Sequence, residues 1–185
     1  IEFLILSGVH TFLKETPNNL MKYNDIHNEI TKTRDIKKLD AITNIKELNA
    51  LIANHNSASK KSTKKIILSD GNINSKVMII GEAPDQEDDI EGIPFAGKTG
   101  QLLNKMLAAI QLDRKDVYIT NIIPWNLPKN RTPTDDEIIE FLPFLQRQIE
   151  IIKPKFIYLL GTTATKAILS TPLSLEKLRG QWHQY

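Results

Sequence analysis

Val77–Met78–Ile79–Ile80–Gly81–Glu82–Ala83–Pro84 is the stretch on which the fold turns. A short, unbroken apolar run that ends in glycine marks a strand covered on both faces, as in a parallel sheet. The same pattern recurs in Val117–Thr120 and in Phe156–Leu160, the latter followed by Gly161. Between these runs the apolar residues take a helical spacing. Gly100–Ile110 carries Leu102, Leu103, Met106, Leu107 and Ile110, and Asp135–Ile152 follows as a second helix. That second helix opens on a capping box, Thr134 with Glu137 three residues on. Pro143 lies inside it and predicts a kink, because proline removes one helical hydrogen bond. Alternating strands and helices predict a three-layer α/β/α domain on a central, mostly parallel sheet. Ligands of such sheets bind beyond the carboxyl ends of the strands, so chemistry is expected after Ile80, Thr120 and Leu160.

Upstream of the first strand, residues 1–56 read as a helical N-terminal extension. Ile36, Leu39, Ile42, Ile45, Leu48 and Leu51 recur at helical spacing, and Thr16–Pro17–Asn18 separates two helices. The polar, basic run Asn56–Lys65 reads as a connecting loop, and residues 57–185 as the α/β domain. The chain opens at Ile1 inside an apolar stretch and stops at Tyr185 just after Gly180–Gln181–Trp182–His183, so both ends read as cut.

Composition narrows the function classes. The 185 residues are 41% apolar and 25% charged with net charge +2, so a DNA-binding face would have to be local. The chain has no cysteine, which excludes disulfides, thiolate catalysis and cysteine-ligated metals. No apolar run is long enough for a membrane span and no signal pattern opens the chain, so a cytoplasmic monomer is expected.

The loop after Ile80 is the informative one. It places five carboxylates between Asp85 and Glu91, then Gly92–Ile93–Pro94–Phe95–Ala96–Gly97–Lys98–Thr99–Gly100 before the helix. Singly, each acid reads as solvated and Phe95 as a core residue. Together, a Pro–Phe step beside small residues can hold an aromatic face at a cleft, with backbone N–H groups aimed at phosphate. Gly92–Thr99 also matches the phosphate-loop pattern G-x-x-x-x-G-K-[ST]. A nucleotide-binding reading is the weaker alternative. Such a loop leaves its strand directly, whereas acids intervene here, and Pro94 lacks an N–H for the cradle.

With these residues in view, the chain resembles the family 4 uracil-DNA glycosylases from about Leu51 to Tyr185. Gly81–Leu103 is similar to that family's first motif: Gly–Glu–Ala–Pro–Gly, acids, then Gly–x–Pro–Phe–Val–Gly–x–x–Gly–x–Leu–Leu. Asp116–Asn121 resembles its second strand with a terminal Asn. Asn130–Thr134 and Leu160–Ala164 match further stretches in the same order. The resemblance implies hydrolysis of the N-glycosidic bond of uracil flipped out of DNA, in base excision repair, with uracil-containing DNA as partner.

It also implies roles. Phe95 would stack on the flipped uracil, and Asn121 would hydrogen-bond its pairing edge, since an amide offers both a donor and an acceptor. Glu82 and Ala83 would line the pocket. Asp88, usually Glu in the family, would sit near C5 and help exclude the thymine methyl. Asp85 replaces a usual glycine. Glu82, Asp88 and Asn121 are thus the candidate catalytic residues, with carboxylates stabilising the positive sugar and Asn121 the negative base. Lys98, Thr99, Arg131, Gly161 and Thr162 are the DNA-binding candidates. Phosphate contacts are also expected from Lys60, Lys61, Lys64 and Lys65, which cluster beside the motif loops.

Two departures matter. Family members typically carry an iron–sulfur cluster on four cysteines, but the matching positions hold Asn54, Ser57, Trp125 and Phe141. No cofactor or metal is therefore expected. The two aromatics would fill the vacated volume and the two polar residues would be solvated. The family's final His–Pro motif, whose His is the main leaving-group donor, is absent, and the chain reads as truncated before it. His183 is no substitute, and His10, His27 and His55 read as surface residues. A catalytically degenerate uracil-DNA binder is the alternative. The covalent-trapping relatives use a His in an inserted loop, and Pro124–Arg131 has neither.

Overall fold

A computed structural model describes residues 36–62, 65–171 and 173–185. The first 35 residues, with His10, His27 and the break at Thr16–Asn18, lie outside the described residues. A 3-10 turn at Ile36–Ala41 leads to helix α1, Ile45–Asn54, whose Asn44 side chain accepts from the Glu47 N–H at 3.0 Å. Strands β1 (Ser69–Gly71) and β2 (Val77–Gly81) follow. The helices α2 (Gln86–Glu91) and α3 (Lys98–Ala109) then precede β3 (Tyr118–Asn121). Helix α4 (Asp135–Ile152), β4 (Phe156–Leu159), α5 (Thr162–Leu169) and the short α6 (Leu175–Leu178) complete the described chain.

The sheet order is β1-β3-β2-β4. Strands β3 and β4 both run parallel to β2, and β1 pairs antiparallel with β3. The expected α/β architecture is therefore present. β1 was not legible, because Ser69–Asp70–Gly71 has none of the apolar character of a central strand. It forms as a short edge, where polar residues are tolerated.

Strand alternation divides the core in two. Met78, Ile80 and Tyr118 face α1 and α4, packing with Leu48, Ile52, Phe141, Phe144, Leu145 and Ile149. Val77, Ile79 and Ile119 face α3, packing with Leu103, Leu107 and Phe95. Leu39, Ile42, Ile45, Leu48 and Ile52 all join the first cluster, so the described part of the N-terminal segment shares the core of the α/β unit. Helix α4 has its expected capping box and continues through Pro143, which is buried within it.

Two expectations need correction. The acidic stretch is not an open loop: Gln86–Glu91 is a helix, started by a reciprocal capping box between Asp85 and Asp88 and ended by Gly92 at φ +82°. Nor is β4 covered on both faces. Phe156 and Tyr158 are each 43% exposed: α3 lies over β2 and β3, and Trp182 approaches these two rings at 5.8 and 6.1 Å.

Candidate active site

Because β2, β3 and β4 are parallel, Gly81, Asn121 and Gly161 arrive at one edge of the sheet. Gly81 and Asn121 are register partners at the ends of β2 and β3, and both belong to the face that carries Ile79, Ile119 and α3. On that face Gly81 leaves a gap where a side chain would stand. A Cβ there would lie 2.3 Å from Asn121 Oδ1 and 2.5 Å from Phe95 Cζ. The Phe95 ring and the Asn121 amide thus converge over the same glycine, and the absent side chain is the reason they can.

Asn121 is 5% exposed, and among the described residues neither its Oδ1 nor its Nδ2 has a hydrogen-bond partner. Leaving a buried amide unpaired costs about 1–3 kcal/mol, so such a group calls for an explanation. An amide held at a ligand-binding edge with its donor and acceptor both unused is suited to a ligand that offers the complementary pair.

Phe95 reaches this position through a left-handed backbone, φ +55°. Helix α3 packs directly behind it: a Cβ on Gly100 would lie 1.6 Å from the Phe95 carbonyl oxygen. Glu82 leaves the end of β2, and its carboxylate accepts from the Thr163 hydroxyl in the first turn of α5. Ala83 is half-buried beside it, and Pro84 is buried with its carbonyl accepting from Asn126 Nδ2 at 2.9 Å.

The acids have structural occupations. Asp88 is 4% exposed and accepts from the N–H groups of Ala96 at 2.6 Å and Asp85 at 3.3 Å. Burial pushes its pKa above the usual range, against the opposing pull of the Ala96 and Phe95 N–H groups. Glu87 accepts from the Lys98 N–H at 3.2 Å, and Asp89 from the Lys65 N–H at 3.1 Å. Two of the backbone N–H groups in the step expected to face phosphate, those of Ala96 and Lys98, are therefore taken by the protein's own carboxylates. The nucleotide-binding alternative is also disfavoured, since helix α2 stands between β2 and Gly92 and the loop does not leave its strand directly.

The DNA-binding candidates do not form one group. Lys98 and Thr99 are exposed at the start of α3, and Gly161 and Thr162 are exposed at the start of α5. Arg131 is exposed but grips Glu137 with both arms, at 2.7 Å each. Lys60 donates to the carbonyls of Ala53 and His55, and Lys65 to that of Ile90. The side chains of Lys61 and Lys64 lie outside the described residues. Sequence reading missed Arg114, Asn126 and Thr163, which brace the pocket loops from distant segments. No local pattern distinguishes them from ordinary surface residues.

The four positions matching the family's cluster ligands do not fit an iron–sulfur cluster. Trp125 and Phe141 are fully buried, packed edge to face at 4.9 Å, and no thiolate is present to hold iron. Asn54 is exposed as expected, but Ser57 is not: it is 3% exposed and donates to Glu140 Oε2 at 3.1 Å. His55 is likewise buried, at 8% exposed, with Nε2 2.8 Å from Glu140 Oε1 and its ring tilted against Phe144 at 5.0 Å. A single glutamate from α4 gives both polar groups a partner, which is why burial is tolerated. Among the described residues no helix is long and apolar enough to cross a membrane.

Residues 68–185 match the family model described as the uracil DNA glycosylase superfamily. The chain is 40% identical over 130 residues to the type-4 uracil-DNA glycosylase of Saccharolobus solfataricus, covering 68% of this chain and 60% of that protein. It is 43% identical over 100 residues to that of Archaeoglobus fulgidus, covering 54% and 50%. It is 44% identical over 112 residues to that of Sulfurisphaera tokodaii, covering 58% and 51%. The chain thus spans about half to three-fifths of the length of these relatives. The matched region is well over half of the chain and contains β2, β3 and β4 together with Phe95 and Asn121, and on the ground of that match the chain belongs to the uracil DNA glycosylase superfamily.

Proposed function

We propose that the protein excises uracil from DNA. The observation that carries this reading is the buried Asn121 amide, unpaired at both atoms, facing the Phe95 ring across Gly81. A uracil turned out of the helix offers O4 as acceptor and N3–H as donor, the complement of that amide, and a planar face for Phe95. Membership of the superfamily and the names of its relatives support the same chemistry.

In the reaction the bond between uracil N1 and the sugar C1′ breaks, and its electron pair leaves with the base. The oxygen of a water then bonds to C1′, and the proton it releases balances the charge of the departing uracil. Asn121 Nδ2 donates to the uracil oxygen on which negative charge grows, and its bond strengthens as charge develops. Glu82, anchored by Thr163 just beyond the end of β2, is assigned to balance the positive sugar and orient the water. Asp88 acts by shaping: it fixes Ala96 and with it the wall against which the C5 edge would rest. Lys98 and Thr99, exposed at the start of α3, and Gly161 and Thr162, exposed at the start of α5, are assigned to backbone phosphates.

The test is release of uracil from a single-uracil oligonucleotide by the full-length protein, beside Phe95→Ala and Asn121→Ala. Loss of release in Asn121→Ala with DNA binding kept supports the reading. An unsubstituted protein that binds uracil-DNA without releasing the base would identify the degenerate alternative, and one that does neither would overturn the proposal.

A further inference from the structure

Phe95 carries its ring to Gly81 only because its backbone adopts a conformation that L residues with side chains avoid, φ +55°. Something must stabilise that conformation. The peptide carbonyls on either side of the Phe95 Cα, those of Pro94 and Phe95, both turn toward one guanidinium. Arg114 Nη2 donates to Pro94 O at 2.7 Å, and Nη1 to Phe95 O at 3.0 Å. Arg114 Nε donates to Asp70 Oδ2 at 2.8 Å, and Nη2 lies 2.6 Å from the same oxygen. A longer contact from Nη1 to Asn104 Oδ1, at 3.3 Å, ties the fork to α3.

Both ends of this clamp are seated on backbone. Arg114 begins the 3-10 turn Arg114–Asp116 that leads into β3, and Asp70 lies on β1, the edge strand paired with β3. Gly71 at φ +87° lies against that turn, where a Cβ would come within 2.0 Å of Val117 O and 2.7 Å of Arg114 O. The clamp therefore measures the position of the Phe95 loop from β1 and β3, and β3 is the strand that carries Asn121. If Phe95 relaxed to a right-handed or extended backbone, the two carbonyls would swing apart and the fork could hold only one.

We propose that Arg114, buttressed by Asp70, is a positioning residue that sets the Phe95 ring opposite Asn121 and so determines how tightly the pocket holds a uracil ring. This rests on the proposed uracil-excising function. Arg114 touches no substrate. It acts through the Pro94–Phe95 backbone, and its planar fork is what allows two carbonyls and a carboxylate to be held together.

The experiment measures inhibition of the full-length protein by free uracil, which reports the pocket alone, with kcat and KM on a single-uracil oligonucleotide. Folding is followed in parallel by thermal melting. Arg114→Met is expected to weaken uracil inhibition by about 10-fold, the scale of losing charge-assisted hydrogen bonds. Arg114→Lys, with a point charge that reaches one carbonyl, should fall between, and Asp70→Asn should show a loss of about 2- to 3-fold. A residue with a merely structural role would lower the melting temperature and leave the inhibition constant of the folded protein unchanged. That result in Arg114→Met, with Phe95→Ala still weakening inhibition, overturns this inference and leaves the glycosylase reading intact. If Arg114→Met does not fold, unchanged inhibition in both Arg114→Lys and Asp70→Asn overturns it instead. An unsubstituted protein that neither releases uracil nor responds to it overturns both.

Discussion

Thr120 and Asn121 are adjacent on β3, both polar and both buried, at 1% and 5% exposed, yet their surroundings are opposite. Thr120 points toward α4, where its hydroxyl donates to Leu68 O at 2.7 Å with Gln148 Oε1 at 3.3 Å. Gln148 Nε2 then donates to the Tyr118 hydroxyl at 2.6 Å, so the α4 face closes into a satisfied network. Asn121 points toward α3, and its side-chain amide has no partner among the described residues. One face of the strand uses buried polarity to fix the fold, and the other keeps it unspent. The contrast separates a structural polar group from a binding one better than residue type or depth of burial does.

The comparison can be broken most directly at Asn121. Asn121→Ala should reduce uracil release by about 3–4 kcal/mol in the transition state, the worth of one donor to a developing anion. It should leave the melting temperature unchanged or slightly raised, because an unpaired buried amide is removed. A large drop in melting temperature would show that Asn121 is structural after all.

Gln148→Leu should do the reverse. It removes the Thr120 contact and one of the two side-chain hydrogen bonds to the Tyr118 hydroxyl, leaving that from Ser69, a loss of about 1 kcal/mol in stability, with turnover per folded molecule unchanged. Urea unfolding beside active-site titration would measure both. Phe95→Ala, on the pocket face, should weaken uracil inhibition by about 1–3 kcal/mol, the value of one stack, with little effect on unfolding.

Smaller effects sharpen the contrast at the surface. Lys98→Ala should lower the log–log salt slope of DNA binding by about 1, while Lys60→Ala should not, because the Lys60 ammonium is already bound to Ala53 and His55 carbonyls. An equal change in both variants would refute the distinction. The smallest concerns Glu137, whose pKa is lowered chiefly by hydrogen bonds from Arg131. A carboxylate depressed in the folded state contributes stability above its unfolded pKa and loses it as pH falls through the folded value. Arg131→Ala should therefore slightly destabilise the protein near neutral pH, with the difference vanishing in acid. A difference that grew in acid would have the wrong sign.

Much of the fold was legible because its signals are local. Val77–Ile80 and Val117–Thr120 read as buried strands, and Thr134 with Glu137 marked the start of α4. Phe95 and Asn121 were singled out in advance through the resemblance of their flanking motifs. The acids were misread as a loop, and Asp88 as solvated, because capping is reciprocal. Asp85 and Asp88 form a helix only when each finds the other's N–H, and composition does not display that. Ser57 and His55 were misplaced for a related reason: their partner, Glu140, lies more than 80 residues away.

By itself, then, the sequence determined the strand–helix alternation, the parallel sheet, the absence of thiol ligands and the motif residues, all of which follow from neighbours in the chain. Tertiary structure alone decided which buried polar groups are satisfied. It left Asn121 unpaired over Gly81, closed Thr120 and Gln148 into a network, and brought Arg114 to the carbonyls beside Phe95. Hydrogen-bond partners are chosen by distance and direction in space, and the residues that meet in this pocket come from four separate segments of the chain.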